Sequence, residues 1–283
     1  MIDRLISRIK TLNAPIVVGL DPTMELIPDK LKKGGVYETF TAFNKEIIDA
    51  VYDLVPAVKP QIAMYECFGI EGLQAFIETC RYAREKGLIV IGDIKRSDIA
   101  STAAAYASHI SDGPWPEDAV TLNPYLGGDS ITPFTDVCKE KEKMLFILVK
   151  TSNKGSGDLQ DVELKSGIKV YEHMADLVTE WGKDLIGTSG YSKVGAVVGA
   201  TYPEQGVALR KRMPNTFFLV PGYGAQGGAG KDLRGFFDAD GLGCIVNSSR
   251  GIIGAWKADN SNVGDAARKA VIEMQKDLQE AIL

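Results

Sequence analysis

Hydrophobic residues fall into short unbroken runs separated by longer stretches in which they recur every three or four positions. The runs lie at residues 16–20, 57–63, 88–91, 118–122, 144–149, 195–199, 216–220 and 243–246. Continuous apolar runs of this length predict strands buried on both faces, as in a parallel sheet. Helical spacing connects them: Phe40, Phe43, Ile47, Val51 and Leu54 after the first run, and Leu73, Phe76, Ile77 and Cys80 after the second. Later come Val170, Tyr171, Met174, Leu177, Val178 and Trp181, and finally Ala267, Ala270, Val271, Met274 and Leu278. Pro203 suits the first position of a helix running to about Met213. Ile2, Leu5, Ile6 and Ile9 predict a short amphipathic helix ahead of the first strand, placed to close one end of the fold.

Eight strands, most followed by a helical pattern, predict an α/β fold, a (β/α)8 TIM barrel, as a single domain over residues 1–283. A doubly wound sheet is the competitor, but no GxGxxG opens a helix after the first strand. No repeat divides the chain. The glycine-containing segments 153–157 and 222–230 read as mobile loops and not as linkers.

Composition narrows the class. Apolar residues make up 45% and charged residues 24%, the profile of a soluble globular protein. A net charge of -5 argues against a general nucleic-acid binder, while leaving room for an anionic small ligand held by local charge. Cys67, Cys80, Cys138 and Cys244 contain no CxxC, so buried free thiols in a reducing cytoplasm are expected. With His109 and His173 as the only histidines, a histidine-built metal site is not expected. No signal pattern opens the chain and no membrane-spanning apolar run occurs, so the expected location is cytoplasmic with no membrane partner.

The chemistry concentrates where the runs end. The third run continues as Gly92-Asp93-Ile94-Lys95-Arg96-Ser97-Asp98. Asp93 and Lys95, two apart, share a face of a strand, at the C-terminal end where barrel enzymes place their active sites. Asp98 follows at the start of a helix, with Thr102 one turn on. Asp21 ends the first run, before Pro22. Lys59 stands among apolar neighbours in the second run, where an ammonium is costly unless paired. Thr151 and Ser152 follow the fifth run, and Asn123 the fourth. After the seventh run comes Pro221-Gly-Tyr-Gly-Ala-Gln226-Gly227-Gly228, and after the eighth Ser249-Arg250-Gly251. Loops seven and eight of this fold commonly bind phosphate: glycines let backbone N–H groups approach an anion, and an arginine adds a charged fork.

In these residues the chain resembles the orotidine 5′-phosphate decarboxylase family. The match comprises the Asp-x-Lys-x-x-Asp-Ile core at Asp93, Lys95, Asp98 and Ile99, together with Thr102, Asp21, Lys59, the Pro221 to Gly228 loop and Arg250. It spans residues 21 to 250, and its specificity lies in order and spacing more than in any one motif. Residues 111–117 and the long loop after strand five look like the larger bacterial branch, the type 2 subfamily. The resemblance implies conversion of orotidine 5′-monophosphate to UMP and carbon dioxide in pyrimidine biosynthesis, without metal or organic cofactor. It implies that Lys95 is the ammonium beside carbon 6 and the proton donor, with Asp93 and Asp98 favouring its charged form. Lys59 and Asp21 are then expected at the ribose, and Asn123 and Ser152 near the base. Pro221, Gln226, Gly227 and Arg250 are expected at the phosphate, with the 222–230 loop as lid. It also implies a homodimer in which Asp98 and Thr102 enter the partner's site. The nearest rival is a magnesium-dependent relative such as a hexulose-phosphate synthase, in which an acidic metal ligand replaces Lys59. A phosphate-binding barrel without catalytic activity is the other.

Overall fold

The computed structural model describes residues 1–111, 113–224, 228–258 and 260–282. Eight parallel strands close on themselves in sequence order, with the eighth pairing to the first. They are β1 (Ile16–Leu20), β2 (Ala57–Pro60), β3 (Ile89–Arg96), β4 (Ala119–Leu122), β5 (Met144–Lys150), β6 (Val194–Val198), β7 (Phe218–Val220) and β8 (Cys244–Ser248). This is the expected single (β/α)8 barrel. Helices Val36–Val51, Gly69–Glu85, Ala100–Tyr106, Thr132–Glu140, Val170–Gly182, Pro203–Arg212 and Val263–Ile282 return the chain between strands or close it. After β7 the α-helix is replaced by a 3-10 segment, Gly230–Phe236, where no helical periodicity is present in the sequence.

Strand alternation divides the apolar residues into two cores. Outward-facing Val18, Val58, Val90, Val120 and Leu145 pack under the helices. Inward-facing Val17, Ala57, Ile89, Ile91, Ala119, Phe146 and Ile245 fill the barrel and meet Ile2, Leu5, Ile6 and Ile9 of helix Ile2–Leu12. The N-terminal helix therefore plugs the N-terminal end of the barrel, as its periodicity predicts. Burial on both faces is the reason the strands read as unbroken apolar runs.

Three boundaries differ from the sequence reading. β2 stops at Pro60, after which Gln61 bridges only to Asp93 and the chain turns into the short helix Ala63–Glu66. β3 runs on to Arg96, so Asp93 and Lys95 belong to the strand itself. The segment after β5 contains the turns Lys154–Ser156 and Gly157–Gln160 and is pinned. The fully buried Lys150 ammonium donates to Asp161 Oδ2 at 2.9 Å and to Ser156 Oγ at 3.2 Å, between the rings of Tyr171 and Tyr202. The glycines at 155 and 157 thus sit in a segment anchored to the end of β5.

All four cysteines are free; Cys80, Cys138 and Cys244 are buried as expected, whereas Cys67 is exposed. His109 is a packing residue, with Nδ1 2.6 Å from Glu117 Oε2 and its ring stacked on Trp115. Among the described residues no helix is long and apolar enough to cross a membrane.

Candidate active site

Above the plug, the inward positions at the C-terminal strand ends line a cavity of about 810 Å3. Asp21, Lys59, Asp93 and Lys95 converge there from the ends of β1, β2 and β3. They form an alternating row. Lys95 Nζ donates to Asp93 Oδ1 at 2.5 Å, and Lys59 Nζ donates to Asp93 Oδ2 at 2.8 Å. Asp21 Oδ1 lies 4.0 Å from Lys59 Nζ. Both oxygens of Asp93 are therefore taken by ammonium groups.

Pairing makes these burials tolerable. Burial alone would raise the Asp93 carboxyl, but Lys59 and then Lys95 outweigh it and hold the group well below the usual carboxylate range. Burial likewise works against the charged Lys59, and Asp93 and Asp21 reverse it, leaving its affinity for the proton raised. Both therefore carry their charges at neutral pH. The Lys95 side chain is 44% exposed and reaches over the cavity from the paired floor.

Across the mouth, Pro221, Gly222 and Tyr223 after β7 and Ser249 and Arg250 after β8 form the opposite rim. Gly222 adopts a φ of +100° and Gly224 one of +70°, conformations that favour glycine and turn this loop tightly. Tyr223 Oη and the Gly230 N–H both donate to Asp277 Oδ2 of the last helix, fastening the two ends of the loop. Arg250 lines the cavity and makes no ion pair among the described residues. Gln226 and Gly227 lie outside the described residues. Thr151 and Ser152 line the cavity from the β5 loop, and Gln160 clamps Thr151 by accepting its N–H and donating to its hydroxyl.

Three expected site residues are placed elsewhere in this chain. Asn123 does not line the cavity; the chain turns at Pro124, and Asn123 Oδ1 accepts the N–H of Tyr125. Asp98 and Thr102 lie on the outer rim, where Asp98 Oδ1 accepts the Ile99 N–H and Thr102 is exposed. Conversely, the cavity floor includes Thr121, Leu148, Val197, Leu219 and Asn247, none of which stood out in the sequence. Each continues the inward parity of its strand, which is the signal that identifies them.

Fold and site together define a barrel enzyme whose paired ammonium and carboxylate groups face a rim that includes Gly222 and Arg250. The model of the orotidine 5′-phosphate decarboxylase / HUMPS family matches residues 14–263. The chain is 48% identical over 282 residues to the orotidine 5′-phosphate decarboxylase of Rhodopirellula baltica, covering 93% of each. It is 44% identical over 285 residues to that of Clostridium perfringens, covering 99% of each. A putative orotidine-monophosphate-decarboxylase from Toxoplasma gondii has a similar solved structure, with a TM-score of 0.85 at 30% identity, covering 99% of this chain and 97% of that one. The chain belongs to the orotidine 5′-phosphate decarboxylase / HUMPS family.

Proposed function

We propose that the charged row performs the decarboxylation of orotidine 5′-monophosphate. The chain is a carboxy-lyase, yielding UMP and carbon dioxide for pyrimidine biosynthesis. The observation that carries the mechanism is the Lys95 ammonium, held at Asp93 on the cavity floor and facing the mouth that Arg250 lines. Breaking the bond from carbon 6 to the carboxylate leaves an electron pair in the ring plane with little resonance relief. An ammonium beside that carbon stabilises the localised charge more than the delocalised carboxylate that precedes it, which lowers the barrier differentially. Two unit charges 4 Å apart interact by about 4 kcal/mol in a protein-like medium against about 1 in water, so water exclusion multiplies the effect. Lys95 then passes a proton to carbon 6, carbon dioxide departs, and the amine regains its proton from water.

The remaining residues hold the substrate. Asp21 and Lys59 face the ribose, Ser152 the base, and Pro221, Gln226, Gly227 and Arg250 the phosphate. Contacts to a phosphate far from carbon 6 can be spent on closing the site. Leu148, Val197 and Leu219 offer the apolar surface that suits departing carbon dioxide. The magnesium-dependent alternative in the same family calls for free carboxylates, yet Asp93 has both oxygens on ammonium groups and the second-strand position is Lys59. Adding orotidine 5′-monophosphate and following its ultraviolet absorbance, with and without EDTA, tests the reading. Loss of the orotate band in both conditions is expected, and an unchanged spectrum removes the activity.

The enzyme is a C2 homodimer in the cytoplasm, each chain lending Asp98 and Thr102 to its partner's site. Ile99, Tyr125 and Leu126, apolar side chains left exposed beside the mouth, support such an interface, and free cysteines suit a reducing compartment. Mixing inactive Lys95→Ala and Asp98→Ala proteins under subunit exchange is expected to restore about a quarter of the parental activity, from hybrid dimers with one intact site. No recovery in a mixture shown to exchange rejects the shared site.

A further inference from the structure

We infer that Thr121 on β4 is a positioning residue whose single hydroxyl fixes both the backbone and the side-chain partner of Lys95. This rests on the reading of Lys95 as the reacting ammonium.

The β3–β4 ladder is irregular where the chemistry sits. Gly92 pairs with Val120, and the next pair is Arg96 with Leu122, so four steps along β3 match two along β4. The extra residues bring Asp93 and Lys95 to the cavity together, and they force Lys95 to a φ of +46°. A non-glycine residue persists in that conformation only where its surroundings hold it. The bulge also removes the Lys95 N–H from the ladder, and it donates instead to Thr121 Oγ1 at 3.1 Å. The same hydroxyl donates to Asp93 Oδ1 at 2.9 Å. Asp93 Oδ1 in turn receives Lys95 Nζ.

The result is a closed ring: Lys95 N–H to Thr121, Thr121 to Asp93, and the Lys95 ammonium back to Asp93. Its polarity is forced. An amide N–H can only donate and an ionised carboxylate can only accept, so the hydroxyl must accept from one and donate to the other. Thr121 is 1% exposed, so water does not substitute for it. Lys95 has a long flexible stem and is not held by burial. Its position is set at its two ends, and Thr121 touches the fixture at both. A displacement of ~1 Å at a reacting group can cost about 10²-fold in rate.

Thr121→Val keeps the shape and deletes the hydroxyl, whereas Thr121→Ser keeps the hydroxyl. For Thr121→Val, kcat is expected to fall about 10- to 100-fold, with UMP affinity within about threefold of the parent. Thr121→Ser is expected to stay within about threefold in kcat. If the valine variant does not fold, Thr121→Cys, a weak donor of similar size, carries the same expectation of lowered kcat at preserved UMP affinity. A parental kcat in Thr121→Val or Thr121→Cys overturns the inference. So does a matching loss of UMP binding, or a serine variant as impaired as the valine one. Lys95→Ala measured alongside separates the two readings. If it is inactive while Thr121→Val is normal, only the role of Thr121 falls; if it still turns over, the reading of Lys95 falls first.

Discussion

The two halves of the cavity floor follow one rule of construction and carry opposite chemistry. Inward positions on β8 and β1 to β4 hold Asn247, Asp21, Lys59, Asp93, Lys95 and Thr121; those on β5 to β7 hold Leu148, Val197 and Leu219. The charged half survives burial because its central carboxylate, Asp93, is bonded to two ammonium groups and a hydroxyl, while Asp21 lies 4.0 Å from Lys59. The apolar half needs no such arrangement, and it withholds water from the other. A charge is most useful where its surroundings cannot screen it, so the Leu148, Val197 and Leu219 side is part of what makes Lys95 effective.

The sharpest way to break this comparison is to empty the charged half of its reacting group. Lys95→Ala is expected to lower decarboxylation by about 10⁴-fold or more, since it removes both charge stabilisation and proton donor. UMP binding measured by calorimetry should survive, because phosphate and ribose contacts remain. Retained turnover would take Lys95 out of the mechanism. Arg250→Ala comes next. It should lower kcat/KM for the nucleotide by about 10²- to 10³-fold, as for loss of a partner to a desolvated charge. A phosphate-free nucleoside should be affected within about threefold, and equal losses for both substrates would count against the phosphate assignment.

The apolar half can be tested by making it slightly wet. Val197 is 5% exposed, and Val197→Thr changes a methyl to a hydroxyl at nearly constant shape. The hydroxyl solvates a carboxylate before it leaves and gives water a foothold beside Lys95. We expect kcat to fall about three- to tenfold with UMP affinity unchanged, a small uniform effect on dielectric and ground state. An unaltered kcat would mean that the apolar side is filler.

Much of this floor was legible in the sequence, for a physical reason. A lysine in an apolar run and an Asp-x-Lys at a strand end conflict with burial, so Lys59, Asp93 and Lys95 declare themselves, as does Asp21 before a proline. Thr121, Leu148, Val197 and Leu219 conflict with nothing. They read as ordinary strand residues, and only carrying the inward parity of Asp93 around the barrel brings them to the cavity. Asn123 shows the converse: it ends the right strand, but its side chain is used in its own turn, a choice that residue type does not reveal. Lys150 also escaped, because its partners Ser156 and Asp161 become neighbours only once the loop has folded back.

The smallest expected effect is on stability, and it contrasts a carboxylate inside the row with one outside it. Burial opposes ionisation at both Asp93 and Glu117, but ammonium groups overcome it at Asp93, whereas His109 only partly offsets it at Glu117. The signs therefore differ. Asp93, depressed in the folded state, contributes stability that is complete above its unfolded value of about 3.9 and is lost as pH falls through its lower folded value. Glu117, raised in the folded state, takes up its proton earlier in the native protein, so its contribution becomes more favourable as pH falls through that raised value. Urea midpoints compared between the parent, Asp93→Asn and Glu117→Gln as pH is lowered from 7 should show this. The parent's advantage over Asp93→Asn should hold until about pH 4 and then shrink, while its standing against Glu117→Gln improves above that point. If both gaps move together, the row does not protect its carboxylate in the way its geometry implies.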